Sequence, residues 1–141
     1  LDETGMDATC LKLELTESVV MAIGDACGLL QKLRAFGIAL SLDDFGTGYS
    51  SLSYLKMLPV QQLKIDRSFV MGIGVNSGDE AIIRTIMELA RSLGFEVIAE
   101  GVETVGQAAF LRQLGCQQLQ GFLHGEAVAP VEFRARWSER P

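Results

Sequence analysis

Three stretches of this sequence end in the same way. Arg34-Ala-Phe-Gly37, Arg91-Ser-Leu-Gly94 and Arg112-Gln-Leu-Gly115 each close a helical pattern with a basic residue and then a glycine, and each leads into a strand-like run. Arginine near the last carbonyls complements the helix dipole, and glycine takes the left-handed φ that ends the helix. Strands joined by helical crossovers must pair in parallel. The repeat therefore predicts a parallel sheet with helices outside it.

The apolar periodicity fills in this frame. Leu11-Lys12-Leu13-Glu14-Leu15 alternates apolar and polar, as a strand does, while Ala26, Leu29, Leu30, Leu33 and Phe36 share one helical face. Ile38 to Leu42 reads as strand, and Ser50 to Met57 as a short helix with Leu52 and Leu55 inward. Leu63-Lys64-Ile65 is a third strand. Ile82, Ile83, Ile86, Met87, Ala90 and Leu93 mark a longer helix before Val97-Ile98-Ala99. Val105, Ala108, Leu111 and Leu114 mark another before the run from Leu119 to Leu123. Gly72 to Gly78 is a loop, and the tail from Pro130 to Trp137 has room for one or two helical turns. At 141 residues the chain has the size of one domain.

Composition removes several function classes. No apolar run approaches the roughly 20 residues of a membrane helix, and the start, Leu1-Asp2-Glu3-Thr4-Gly5, lacks the basic region of a signal peptide. A net charge of −6 argues against coating duplex nucleic acid. Cys10, Cys27 and Cys116 contain no CxxC pair and form an odd count, which fits a reducing compartment, and the expected location is the cytoplasm. The single histidine, His124, has no nucleophile signature beside it.

Polar residues recur where the strands end: Glu14, then Asp43 and Asp44, then Lys64 and Asp66, then Glu100, then Gln120. Charged groups at the C-terminal ends of successive parallel strands mark the active face of a (β/α) barrel, although any one of them alone is also what a solvated strand end looks like. Asp43 and Asp44 repel each other unless a cation lies between them, which suits a divalent metal; an Asx turn with Gly46 and Gly48 is the alternative. Oxygen-only ligands favour Mg²⁺ or Mn²⁺ over zinc. Thr16 and Ser18 read as helix caps, with Glu17 favourable in the first turn. Lys64 either balances the carboxylates or orients water and phosphate. Together these residues describe a metal-dependent hydrolase or lyase acting on a phosphate.

Five ordered motifs carry a resemblance. Glu14-Leu-Thr-Glu17-Ser18, Asp43-Asp44-Phe-Gly-Thr-Gly-Tyr-Ser-Ser51, Leu63-Lys64-Ile-Asp66-Arg67-Ser-Phe69, Ile98-Ala-Glu100-Gly-Val-Glu103-Thr104 and Gln120-Gly121-Phe122 resemble those of EAL-type cyclic-di-GMP phosphodiesterase domains, over roughly residues 11–133. The Glu-Ala-Leu strand itself, its neighbouring Arg and the Asn ligand of the next strand are absent from this chain. It thus resembles the last five of the eight βα units of such a barrel, as a single partial domain over residues 1–141.

The resemblance implies a partial (β/α)8 TIM-type barrel whose complete form cleaves cyclic di-GMP to linear pGpG with two Mg²⁺ or Mn²⁺ ions. It places Glu14, Asp43, Asp44 and Glu100 as metal ligands, with Asp43 bridging, Lys64 on the attacking water, and Glu100 also as general base. Asp66, Glu103 and Gln120 would form the surrounding metal and phosphate shell. Phe45, Gly46, Thr47, Gly48, Tyr49, Ser50 and Ser51 correspond to a loop coupling dimer contacts to the metal site, steadied by Glu17. Glu126 stands where the family usually has a basic residue, near the rim of the anionic substrate. The implied partners are cyclic di-GMP, a second copy of the chain, and linked sensory or cyclase-like domains. The alternative within the family is a non-catalytic module that binds cyclic di-GMP or another protein.

Overall fold

Five strands form one sheet: β1 (Lys12–Thr16), β2 (Ala39–Phe45), β3 (Gln62–Ile65), β4 (Glu96–Ala99) and β5 (Gln118–Leu119). Every neighbouring pair is parallel, and the spatial order is the sequence order, β1-β2-β3-β4-β5. A doubly wound sheet reverses its order partway, whereas a barrel wall winds in one sense only. The sheet is therefore an arc of barrel wall, with β1 and β5 as its edges among the described residues. This computed structural model describes residues 1, 3–23, 26–48 and 52–137.

The helices are α1 (Glu17–Ala22), α2 (Ala26–Ala35), α3 (Leu52–Leu55), α4 (Arg67–Met71), α5 (Ser77–Leu93), α6 (Val105–Gln113) and α7 (Pro130–Trp137). Gly37, Gly94 and Gly115, the ends of the three repeats, all take positive φ (93°, 75° and 88°). Helix α5 begins on an Asn76 cap with Asp79 and Glu80 in its first turn. Helix α6 begins on a reciprocal Thr104–Gln107 capping box.

The two faces of the sheet are chemically distinct. Leu40, Leu42, Leu63 and Ile65 are buried in the apolar core with Leu30, Ile83, Ile86 and Leu111 from the helices. Full burial of one such side chain contributes about 1.5–3 kcal/mol. The alternate positions Ser41, Gln62 and Lys64 are buried too, but they are polar. Gln62 bonds Lys12 (3.3 Å), Ser41 (3.2 Å) and Gln118 (2.8 Å), and Gln118 bonds Glu96 (3.0 Å). This polar layer lies below the strand ends, where barrels ordinarily pack branched apolar residues.

Several details differ from the sequence expectation. The second strand extends through Phe45, and the fifth is only Gln118–Leu119, because the chain turns at Gly121 against the backbone of Val102. Phe36, Leu52 and Val105, expected on inward faces, are 73%, 61% and 74% exposed. Each sits at an element end, where the apolar face has run past its neighbour. Thr16 caps α1 by accepting from Val19 N, while Ser18 lies inside that helix. Helix α4 follows directly from an Asp66 cap, and no apolar period announced it. The part of the predicted third helix at Ser50 and Ser51 lies outside the described residues.

Candidate active site

Lys64 stands on β3, the middle strand, and its side chain is almost fully buried. Its ammonium contacts Glu14 on β1 (2.6 Å), Asp43 on β2 (3.1 Å) and Glu100 just past β4 (2.7 Å). Burial opposes its charge, but hydrogen bonds to Glu100, Glu14 and Asp43 outweigh that and hold its pKa above the ordinary lysine value. The parallel register brings the three strands together but staggers the acids. Thr16 pairs with Asp43 and Lys64 with Ile98, so Glu14 lies two residues before the partner of Asp43 and Glu100 two residues past the partner of Lys64. The long Lys64 side chain is where they meet.

The Asp43-Asp44 pair enters the site through a bulge. Leu42 pairs with Leu63 and Phe45 with Ile65, so two residues of β2 oppose the single residue Lys64. Neighbouring side chains on a regular strand point to opposite faces, and an extra residue removes that constraint. Asp44 takes φ 54°, the one positive-φ non-glycine residue among those described, at a cost on the order of 1 kcal/mol. Its carboxyl is pushed up by burial, then by the charges of Asp43 and Asp66. Asp66 is pulled the other way. Burial raises it, but hydrogen bonds from Ser68 outweigh that and hold it below the ordinary aspartate range, with a further one to Asp44.

Around this centre, Glu17 is buried, and its Oε1 accepts from Gly46 N at 3.3 Å while its Oε2 has no partner. A Cβ at Gly48 would overlap that free oxygen, so the start of the loop after β2 packs onto Glu17. Phe45 is the buried last residue of β2, and Thr47 Oγ1 donates to Asp44 O (2.8 Å). Tyr49, Ser50 and Ser51 lie outside the described residues. On the other flank, Gln120, Glu100 and Glu103 line one cleft of about 210 Å³ with Arg67, Gly101 and Phe122. Glu126 is exposed and lines a separate cleft with His124 and Arg136.

The strand-end residues Glu14, Asp43, Lys64 and Glu100 thus meet directly. Asp44 and Asp66 adjoin them, and Gln120 shares the neighbouring cleft. Among the described residues no three Asp, Glu, His or Cys side chains close on one point as a finished ion cage; the point that three carboxylates share is Lys64 Nζ. The donor chemistry suits Mg²⁺ or Mn²⁺: the oxygens are hard, and Glu14, Asp43, Asp44 and Glu100 outnumber the one ammonium. Sequence reasoning missed the ion pair between Arg67 and Glu103 (2.9 Å). Neither residue carries a signal of it, because 36 positions separate them.

The sequence matches the EAL domain family over residues 1–127. This chain is a member of the EAL-domain family. It is 50% identical over 131 residues to the bifunctional diguanylate cyclase/cyclic di-GMP phosphodiesterase MucR of Pseudomonas aeruginosa, covering 92% of this chain and 19% of that protein. It is 48% identical over 124 residues to the cyclic di-GMP phosphodiesterase NbdA of the same organism, covering 87% of this chain and 16% of that protein. Among solved structures, the PaMucR phosphodiesterase in complex with c-di-GMP superposes with a TM-score of 0.90 at 46% identity, covering 94% of this chain and 54% of that one. The Klebsiella pneumoniae BlrP1 manganese/cy-diGMP complex at pH 9.0 gives 0.78 at 35% identity, with 87% and 32% covered. This EAL chain therefore spans less than a fifth of those two full-length relatives and about half of the solved MucR chain.

Proposed function

We propose that this EAL segment supplies one side of a metal-dependent phosphodiesterase site that opens cyclic di-GMP to linear pGpG. The observation carrying the proposal is the meeting of Glu14, Asp43 and Glu100, from three separate strands, around Lys64. A scaffold has no use for three carboxylates and an ammonium gathered at the pole where barrel enzymes keep their chemistry. The relatives named for this activity, and the cyclic-di-GMP complexes of MucR and BlrP1, support the choice of substrate.

In this reading Glu14, Asp43, Asp44 and Glu100 would hold two Mg²⁺ or Mn²⁺ ions. Such ions, when bound, neutralise phosphate charge and make water a competent nucleophile at neutral pH. With the carboxylates so engaged, a donor of Lys64 turns to the attacking water, and Glu100 accepts its proton. Water attacks phosphorus, one P–O3′ bond breaks, and the proton taken up by Glu100 returns through solvent to the departing 3′ oxygen. Asp66 and Gln120 support the metal and phosphate shell, with Glu103 behind Glu100. Glu17 steadies the loop from Phe45 to Ser51, which relays contacts with a second copy of the domain. The setting is a cytoplasmic signalling protein carrying sensory or cyclase-like domains.

The test is Asp43→Asn in a complete barrel containing this segment, assayed for pGpG release with Mg²⁺ or Mn²⁺. An amide has one neutral oxygen where the carboxylate has two that share a charge, so turnover is expected to vanish while the circular dichroism stays unchanged. Unaltered hydrolysis would refute the assignment.

A further inference from the structure

Glu100 is held from three sides. Its side chain meets Lys64 at 2.7 Å, its backbone N–H donates to Ile65 O at 3.2 Å, and beyond it Val102 N donates to Gln120 O at 3.0 Å. Between these ties the chain turns through Gly101 at φ 68°, a left-handed conformation that costs other residues about 1–2 kcal/mol. Arg67 lies across this turn: a Cβ on Gly101 would overlap Cγ, Cβ and Cδ of Arg67. The guanidinium then reaches Glu103 at 2.9 Å.

Both ends of this strap are fixed. Asp66 caps α4 by accepting from Ser68 N at 3.0 Å and from the Ser68 hydroxyl, which sets the direction in which Arg67 leaves the first turn. Glu103 N donates to Gln107 Oε1 at 2.8 Å, and the same oxygen takes Thr104 N at 2.9 Å, so the residue is tied to the start of α6. The two side chains remain 54% and 39% exposed. An exposed pair of this kind adds little to global stability. Its value lies in geometry, because the turn it crosses carries a residue that must be placed to within about half an ångström to act.

We infer that Arg67 is a positioning residue for Glu100, acting as a clasp over the Gly101 turn with Glu103 as its anchor. This rests on the proposed metal role of Glu100 and deepens it. Groups that orient a metal ligand from behind typically change metal affinity about 10- to 100-fold when removed. Arg67→Met keeps the stem over Gly101 and removes the fork, and Glu103→Gln removes the anchor.

The experiment measures Mn²⁺ binding to the 141-residue chain by electron paramagnetic resonance, with amide hydrogen exchange across residues 100–103. It compares the unaltered chain with Arg67→Met, Glu103→Gln, their combination, Arg67→Lys and the control Glu100→Gln. Each single variant is expected to weaken Mn²⁺ binding about 10-fold and to speed exchange at Glu100 and Val102, whose amides are hydrogen-bonded. The combination should be no worse than either single variant, and Arg67→Lys should recover part of the loss, with thermal midpoints unchanged. Unaltered exchange in Arg67→Met, unaltered Mn²⁺ affinity in both single variants, or additive losses in the combination would overturn the clasp. If the unaltered chain binds no Mn²⁺, or Glu100→Gln binds it equally well, the metal reading is what has failed. Exchange at Glu100 and Val102 still decides the clasp in that case.

Discussion

Replacing Lys64 with methionine is the sharpest perturbation of this domain, because it keeps the buried stem and removes only the charge. In the native arrangement, oxygens of Glu14, Asp43 and Glu100 lie 2.6, 3.1 and 2.7 Å from Nζ. They are therefore within about 6 Å of one another, where like charges repel by roughly 3 kcal/mol per pair at an effective dielectric constant of 20. Glu14 is half exposed and free to swing into water, whereas the side chains of Asp43 and Glu100 are only 22% and 21% exposed. One uncompensated pair survives that relaxation, so the expected loss is about 3 kcal/mol at pH 7, at the lower end for a broken buried ion pair. Crowding raises carboxylate pKa values in the folded variant above their unfolded values. Stability should then return as the pH falls toward the ordinary carboxylate range and be lost as it rises through the shifted values. Urea denaturation followed by circular dichroism at pH 7.5 and 5, with and without Mn²⁺, measures this. The variant should recover roughly half of the deficit at pH 5 and gain more from Mn²⁺ than the native chain does. Equal stability of both proteins at both pH values would refute the claim that Lys64 neutralises this cluster.

Three further outcomes follow from the same geometry. In the native chain Lys64 is raised above its ordinary value, so its contribution is complete below about pH 10 and declines only as the pH climbs through the shifted value; an alkaline denaturation series should show a late loss that Lys64→Met lacks. Asp44→Asn removes a carboxyl disfavoured by burial and by Asp43 and Asp66, so it should stabilise the metal-free chain by about half a kcal/mol while weakening Mn²⁺ binding, as calorimetry would report. The isolated chain, with open edges at β1 and β5, should associate in light scattering and release no pGpG; adding the complementary part of the barrel should restore a monomer-sized domain and turnover, and brisk hydrolysis by a monomeric 141-residue chain would contradict this.

Much of the architecture was legible in the sequence because it rests on local physics. The three arginine-to-glycine helix ends, the strand alternation around Lys12–Leu15 and the Thr16 cap each operate within a few residues, and the structure reproduces them. Ordered βα alternation left parallel pairing as the only economical arrangement, and the acidic strand ends then had to share one pole. Tertiary structure decided what depends on partners distant in the chain. Leu52, Phe36 and Val105 satisfy their helical periods, yet each stays mostly exposed. Asp43 and Asp44 face the site together only because β3 offers Lys64 alone opposite them, and a bulge is a property of two strands. Arg67 finds Glu103 only once β3 and β4 lie side by side. Periodicity and capping are written in neighbouring residues, whereas register, bulges and long-range ion pairs exist only after the strands have been brought together.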